Sequence, residues 1–279
     1  MSKSFDNVAK TQESTLMVVD SLNLAYRYLH AKSSDFVEDY IRVVESLKRS
    51  YKAGKVIITA DKGGSRYRRD ISPEYKANRK EKFENQTEEE KRQFEEFFQE
   101  FERTLLQLET IYPVLRFDKT EADDIAAYIV KKIKKYPITE VWLISSDRDW
   151  DLLINEYINR FSYVTRKEVT FDNWHTHYDC DIEEYISIKC LTGDSGDNVK
   201  GVKGIGPKRA ADLVKEYGSA LDIVASLPIQ SKYKYVQELN NSGELIMKNY
   251  ELMDLISCCG YALGDNTKII DKVMDEYLK

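Results

Sequence analysis

The chain has 279 residues, 42% of them hydrophobic and 32% charged, with 42 lysines and arginines against 48 aspartates and glutamates. This composition excludes a disordered chain and leaves room for one large domain or a large and a small one, while no stretch approaches the roughly 18 consecutive apolar residues that a membrane span needs. The net charge of −6 argues on average against a nucleic-acid partner, but Lys62, Arg66, Arg68, Arg69, Lys76, Arg79, Lys80 and Lys82 outnumber Asp70, Glu74 and Glu81 within one local tract.

Residues 1–14 read as a polar tail. Leu16-Met17-Val18-Val19 then forms a short β-branched run that ends on Asp20, as expected of a strand buried on both faces. Residues 23–51 follow as helix, with Val37, Ile41, Val44, Leu47 and Tyr51 on one side, before a second strand, Val56-Ile57-Ile58-Thr59-Ala60, runs into Asp61. Lys62-Gly63-Gly64 opens an irregular basic stretch in which Pro73 forbids a continuous helix. Residues 87–108 regain the helical period, with Phe94, Phe97, Phe98, Phe101, Leu105 and Leu108 in a stripe read as core, and Thr87-x-x-Glu90 resembles a capping box. Another helix starts near Thr120, buries Ile125, Tyr128, Ile129 and Ile133, and stops at Pro137; Val141-Trp142-Leu143-Ile144 is the third strand, leading to Asp147.

The alternation of strand and helix predicts an α/β fold with a mainly parallel central sheet over residues 15–180. Residues 181–279 lack convincing strands and read as a helical second region. Cys180, Cys190, Cys258 and Cys259 show no C-x-x-C spacing, and the amino terminus has no apolar leader. A cytoplasmic protein with reduced thiols is therefore expected.

In an open parallel sheet, ligands bind beyond the carboxyl ends of the strands, so three strands ending on Asp20, Asp61 and Asp147 collect negative charge in one crevice. Glu121-Ala122-Asp123-Asp124 at a helix start, Asp149 and Asp151 after Asp147, and Asp194 and Asp197 within Gly193-Asp194-Ser195-Gly196-Asp197-Asn198 add further acids. Any one of them alone is unremarkable as a cap or a turn residue. Packed together they repel one another unless cations intervene, and an all-oxygen donor set points to Mg²⁺ or Mn²⁺ rather than zinc. Two such ions activate water and stabilise a leaving oxygen without a protein nucleophile, which is suited to phosphodiester hydrolysis. His30, His175 and His177 lie apart from these clusters; His175-x-His177 is read as surface.

Two segments suit phosphates. Gly201-Val202-Lys203-Gly204-Ile205-Gly206-Pro207-Lys208-Arg209-Ala210 reads as a glycine hairpin entering a helix, within a helix-hairpin-helix over about 186–218 that grips a DNA backbone without reading bases. In Pro73-Glu74-Tyr75-Lys76-Ala77-Asn78-Arg79, Lys76 and Arg79 are placed to clamp a scissile phosphate and Tyr75 to stack on a base.

Taken in order, Asp20, Asp61-Lys62-Gly63, Glu74-Tyr75-Lys76-x-Asn78-Arg79, Glu121-Ala122-Asp123-Asp124, Asp147-x-Asp149-Trp150-Asp151, Gly193-Asp194-x-x-Asp197-Asn198 and the glycine hairpin resemble the 5′ nuclease (flap endonuclease) superfamily over residues 15–225. The likeness is strongest to bacteriophage 5′-3′ exonucleases and the 5′ nuclease domain of bacterial DNA polymerase I. It implies a PIN-like core, a first metal site from Asp20, Asp61, Glu121, Asp123 and Asp124, and a second from Asp147, Asp149, Asp194 and Asp197. It also implies a helical arch over about 70–108 with Lys76 and Arg79 at its base, through which a single-stranded 5′ end passes, and a hairpin whose Gly201, Val202, Gly204, Ile205, Gly206, Lys208 and Arg209 hold the DNA and which in relatives also binds a potassium ion. Arg148, between two aspartates, and Gly63-Gly64 depart from the family pattern. The implied substrates are 5′ flaps, duplex 5′ ends and RNA primers on DNA; the implied products carry 5′-phosphates and 3′-hydroxyls; and the implied setting is DNA replication, by a monomer with replication proteins as possible partners. A shorter ribonuclease on the same acidic core would lack the hairpin, and a non-catalytic DNA-binding scaffold would not keep the full acid set.

Overall fold

The computed structural model describes residues 12–29 and 36–279; most of the expected tail and His30 lie outside the described residues. In chain order the first half comprises β1 (Gln12–Asp20), α1 (Ser21–Ala25), a 3₁₀ turn (Tyr26–Tyr28), α2 (Phe36–Ser50), β2 (Ala53–Ala60), α3 (Arg66–Ile71), α4 (Ala77–Glu84), α5 (Glu88–Glu109), β3 (Val114–Arg116), α6 (Ala122–Lys132), β4 (Glu140–Ile144), β5 (Ile158–Ser162) and β6 (Lys167–Val169). The six strands form one sheet in the order β3-β2-β1-β4-β5-β6, parallel except for the β5–β6 pair at one edge.

Both faces of the sheet are covered, which explains why the middles of its central strands are almost wholly apolar. Successive side chains alternate between two cores. Leu16, Val18, Ile57, Val141 and Leu143 pack against α6, whereas Met17, Val19, Val56, Ile58, Trp142 and Ile144 pack against α2 and α5. On α5, Phe97, Phe101, Leu105 and Leu108 are buried and Phe94 and Phe98 half-buried, as the core reading of the stripe predicts, and the Thr87–Glu90 capping box is formed.

Where one helix is expected over 23–51, the described residues give α1, a 3₁₀ turn and, from Phe36, α2; Asp20 accepts the Asn23 N–H at 3.2 Å and so starts α1 directly at the strand end. Pro73 acts as expected: Ser72, just before it, is extended and closes α3.

The second half comprises α7 (Ile182–Thr192), a two-residue ribbon of β7 (Gly193–Asp194) and β8 (Val199–Lys200), α8 (Pro207–Tyr217), α9 (Ala220–Ala225), α10 (Lys234–Asn240), α11 (Gly243–Met253), α12 (Leu255–Leu263) and α13 (Asn266–Tyr277). Residues from α7 to α11, including Cys190, Leu191, Leu213, Val214, Ile246 and Leu252, build a separate core. The helices after Asp254 do not belong to it. Leu255, Cys259, Leu263, Ile270 and Met274 close over the α6 face of the sheet, so the carboxyl terminus returns to the first core.

Candidate active site

The acids meet at the point where the sheet order reverses, between β1 and β4, at the carboxyl ends of the strands. Asp20 ends β1 and pairs in register with Thr59, which puts Asp61 two residues past that level on the adjacent strand. Ser145 and Asp147 follow β4 in the same direction. The Ser145 hydroxyl donates to Asp20 Oδ2 at 2.7 Å and accepts the Asp147 N–H at 3.1 Å, so one serine ties two strand ends together. Asp61 Oδ1 accepts the Ala122 N–H at 2.6 Å and so caps α6, whose first turn presents Asp123. Trp150 Nε1, from the 3₁₀ turn after Asp147, donates to Asp123 Oδ1 at 2.5 Å.

These acids separate into two electrostatic groups. Among the described residues, no lysine or arginine is in hydrogen-bond contact with Asp20, Asp61 or Asp123. Burial, followed by repulsion from Asp61 and Asp147, pushes Asp20 up to about 8 against the help of Ser145. Burial likewise raises Asp61, with Glu121 adding to the effect, and lifts Asp123 well above the carboxylate range, with Asp147 and Asp61 adding repulsion. Asp20, Asp61 and Asp123 thus repel one another or Asp147 across one crevice.

The other acids are neutralised by named cations. Lys76 Nζ lies 2.6 Å from Glu121 and 3.4 Å from Asp197, and Arg79 lies 2.8 Å from Asp197. Burial alone would raise Glu121, but Lys76 and Arg68 outweigh it and hold its carboxyl low. Lys189, on α7, sits 2.6 Å from Asp149 and 3.0 Å from Asp194. Burial still pushes Asp149 up to about 6. Arg148 is exposed, and it is Lys189, unremarked in the sequence, that occupies the second acid pair.

Two expectations need correction. Asp124 does not offer its oxygens to the crevice: it is fully buried, and Arg68 takes both of them, at 2.7 and 2.8 Å, while also reaching Glu121 at 3.1 Å and the Leu252 carbonyl at 2.8 Å. Tyr75 is not free to stack on a base. Its ring is 5% exposed within the second core, and its hydroxyl donates toward Asp197 at 2.9 Å and Glu121 at 3.2 Å. The sequence also gave no sign of Asp151 paired with Arg160, whose guanidinium additionally donates to the Ser145 carbonyl at 2.9 Å and so pins the β4 end.

Lys76 adopts φ +55°, a left-handed conformation costly for a side-chain-bearing residue, and its N–H donates to the Asp197 carbonyl at 2.9 Å. Asn78 Nδ2 to the Ser195 carbonyl (3.2 Å) and Asn198 Nδ2 to the Glu74 carbonyl (2.8 Å) lock the same two loops. Lys76 and Arg79 therefore stand at the mouth of the crevice, on the approach to α4 and α5. The 3₁₀ turn adds Tyr26, 43% exposed and stacked on Phe97 of α5 at 5.5 Å.

The glycine hairpin takes the expected form. Gly204 has φ +80°, the Val202 N–H reaches the Leu191 carbonyl at 2.8 Å, the Ile205 N–H reaches the Val202 carbonyl at 3.0 Å, and Pro207 opens α8. Val202 and Ile205 are buried, while Gly204, Gly206, Lys208 and Arg209 are exposed and Gly201 is half-buried. The Gly201 amide region leaves no room for a side chain, since an added Cβ would lie 2.1 Å from the Thr192 carbonyl oxygen. His175 and His177 lie elsewhere, on a surface 3₁₀ turn, with His175 3.5 Å from Asp181.

No three of the described Asp, Glu, His or Cys side chains meet as a ready-made metal cage. The fit to divalent cations rests on donor chemistry: Asp20, Asp61, Asp123 and Asp147 converge with no lysine or arginine among the described residues in hydrogen-bond contact, and hard oxygen donors are what Mg²⁺ and Mn²⁺ take. The fold and site define a class of phosphodiester hydrolase that works through divalent cations at the end of a parallel sheet.

Comparison with known proteins specifies the class. The profile of the 5′-3′ exonuclease N-terminal resolvase-like domain matches residues 15–179, and that of the 5′-3′ exonuclease C-terminal SAM fold matches residues 180–265. The chain belongs to the 5′-3′ exonuclease and flap endonuclease family. It is 40% identical to the flap endonuclease of Escherichia phage T5, in an alignment that takes in 100% of this chain and 97% of that one. The crystal structure of the T5 D15 protein co-crystallized with metal ions superposes with a TM-score of 0.88 at 41% identity, covering 95% of this chain and 98% of that one. DNA polymerase I of Bacillus subtilis is 26% identical over 88% of this chain but only 28% of its own length. The catalytic core of Rad2 in complex with DNA substrate shares the fold, with a TM-score of 0.52 at 14% identity.

Proposed function

We propose that the chain cleaves 5′ flaps and duplex 5′ ends of DNA, and RNA primers on DNA, leaving 5′-phosphates and 3′-hydroxyls, in DNA replication. The carrying observation is the convergence of Asp20, Asp61, Asp123 and Asp147 in one buried crevice, beneath Lys76 and Arg79 and in the same molecule as a backbone-gripping hairpin.

Bound Mg²⁺ or Mn²⁺ would be held by Asp20, Asp61, Glu121 and Asp123 at a first site and by Asp147, Asp149, Asp194 and Asp197 at a second, and would supply Lewis acidity and an activated water. Lys76 and Arg79, fully charged and presented at the crevice mouth, bind the scissile phosphate and stabilise charge that builds up in the transition state. Their present partners, Glu121 and Asp197, hold them in place before substrate arrives. Asp124 with Arg68 holds the start of α6, and with it Asp123, in position. The hairpin amides, with Lys208 and Arg209, hold duplex backbone without reading bases, and the hairpin would also hold a potassium ion.

Residues 70–108 form the arch over the mouth, and the region from 181 carries the duplex grip. Four buried free thiols fit a reducing cytoplasm, that of the host cell if the gene is a phage's. Among the described residues no helix is long and apolar enough to cross a membrane. Action as a monomer, with replication proteins as partners, completes the reading. Digestion of a labelled 5′-flap duplex with Mg²⁺, and again with EDTA, tests it: cutting within a nucleotide or so of the junction, abolished by EDTA, is expected, and cutting that ignores the junction would overturn it.

A further inference from the structure

Beside the hairpin lies an exposed tract that neither the crevice nor the hairpin accounts for. Tyr233 caps the start of α10, is 56% exposed although aromatic, and stacks on Tyr235 with centroids 5.8 Å apart and planes 21° apart. Tyr235 in turn packs on the hairpin: its Cβ lies 3.5 Å from where a side chain on Gly204 would begin, and the Arg209 guanidinium sits 4.6 Å over its ring. Arg209 also donates to the Gly204 carbonyl at 2.5 Å, so the tyrosine ring and the turn together fix the direction of that cation. Lys232 and Lys234 flank the stack and are both exposed. On the same element only Glu238 opposes them in charge, and it already faces Lys203 at 3.9 Å.

We propose that the tract 232–235 is a second grip on the backbone of the duplex held by the glycine hairpin. Lys232 and Lys234 each neutralise a phosphate, Tyr233 lies against the sugar edge, and Tyr235 is the positioning residue for Arg209. This rests on the reading of the hairpin as a duplex holder and extends it across α10. Continuity with Gly204 and Arg209, a cationic surface and a rigid exposed ring suit a polyanionic backbone rather than an apolar protein partner. Phosphate contacts of this kind fix register without reading bases.

The test is equilibrium binding of a fluorescent 5′-flap duplex in EDTA across a KCl series, for the intact protein, K232A/K234A, K208A/R209A, Y235L and Y235F. Each phosphate contact contributes a salt slope of about 0.9, so K232A/K234A should lower the slope by about 1.8. Y235L should weaken duplex binding several-fold through a misdirected Arg209, with Y235F restoring it, because the phenyl ring still underlies the guanidinium. An unchanged slope in K232A/K234A, while K208A/R209A lowers it, overturns the second grip and leaves the hairpin reading intact. If neither pair changes the slope, the hairpin reading fails and takes this proposal with it. Thermal melts of each variant separate lost contacts from lost fold.

Discussion

Replacing Arg68 with methionine isolates the correction made at Asp124. The guanidinium is 2% exposed and makes two short bonds to Asp124, one to Glu121 and one to a main-chain carbonyl of α11. Methionine keeps much of the volume but leaves Asp124 without its partner and the Leu252 carbonyl without a donor. Removing one member of a buried ion pair costs about 3–5 kcal/mol, because the remaining charge is stranded. For a protein of this size each kcal/mol shifts Tm by about 2–4 °C, so a fall of roughly 6–20 °C is expected in a calorimetric melt. The double variant Arg68→Met with Asp124→Leu should recover much of that loss, since a buried pair replaced by packed apolar groups is often nearly neutral. At 25 °C, Asp124→Asn should retain far more turnover than Asp123→Asn. A fall in Tm of less than about 2 °C in Arg68→Met, or equal collapse of activity in the two asparagine variants with the fold intact, would refute the reasoning.

Lys76→Ala should lower kcat on a flap substrate by a hundredfold or more, with a much smaller change in KM, because a charge aimed at the transition state is lost while the hairpin still holds the duplex; an equal loss of affinity contradicts that role. Mg²⁺ at 100 times its Kd should add about 2.7 kcal/mol of stability and so raise Tm, and no shift at millimolar Mg²⁺ counts against the acid crevice. The pH dependence has a definite sign. Asp20 keeps its proton in the folded protein up to about 8 but releases it near 3.8 when unfolded, so without divalent cations the folded form binds more protons between those values and stability falls as pH rises through that window. Asp20→Asn should flatten the decline, measured as Tm against pH in EDTA, and a rise over the same range would invert the argument.

The buried strands were legible because a strand covered on both faces is apolar at nearly every position, as in Leu16–Val19, Val56–Ala60 (where the Thr59 hydroxyl donates to the Val19 carbonyl) and Val141–Ile144. β3 escaped because three residues carry no period. β5 escaped because it places Arg160 in its interior, acceptable only through Asp151, nine residues earlier. The strand-end acids were readable from the rule that ligands sit at carboxyl ends. Their partners were not: Tyr75 and Glu121 are 46 residues apart, and Arg68 and Asp124 are 56 apart, so nothing local says which oxygens are already taken. Tyr75 looked like a stacking ring beside a basic pair, but its position between two acids and inside the second core is a property of the tertiary structure alone. The return of α12 and α13 to the sheet was hidden for the same reason, since an apolar helix face does not name the surface that it covers.

The most direct measurement is Mn²⁺ binding followed by electron paramagnetic resonance in the intact protein, Asp20→Asn and Asp123→Asn, each checked by thermal melt. The account predicts at least one ion per chain, with affinity reduced tenfold or more in both variants even though each relieves repulsion and stabilises the ion-free fold. Binding as tight in the variants as in the intact protein would contradict it.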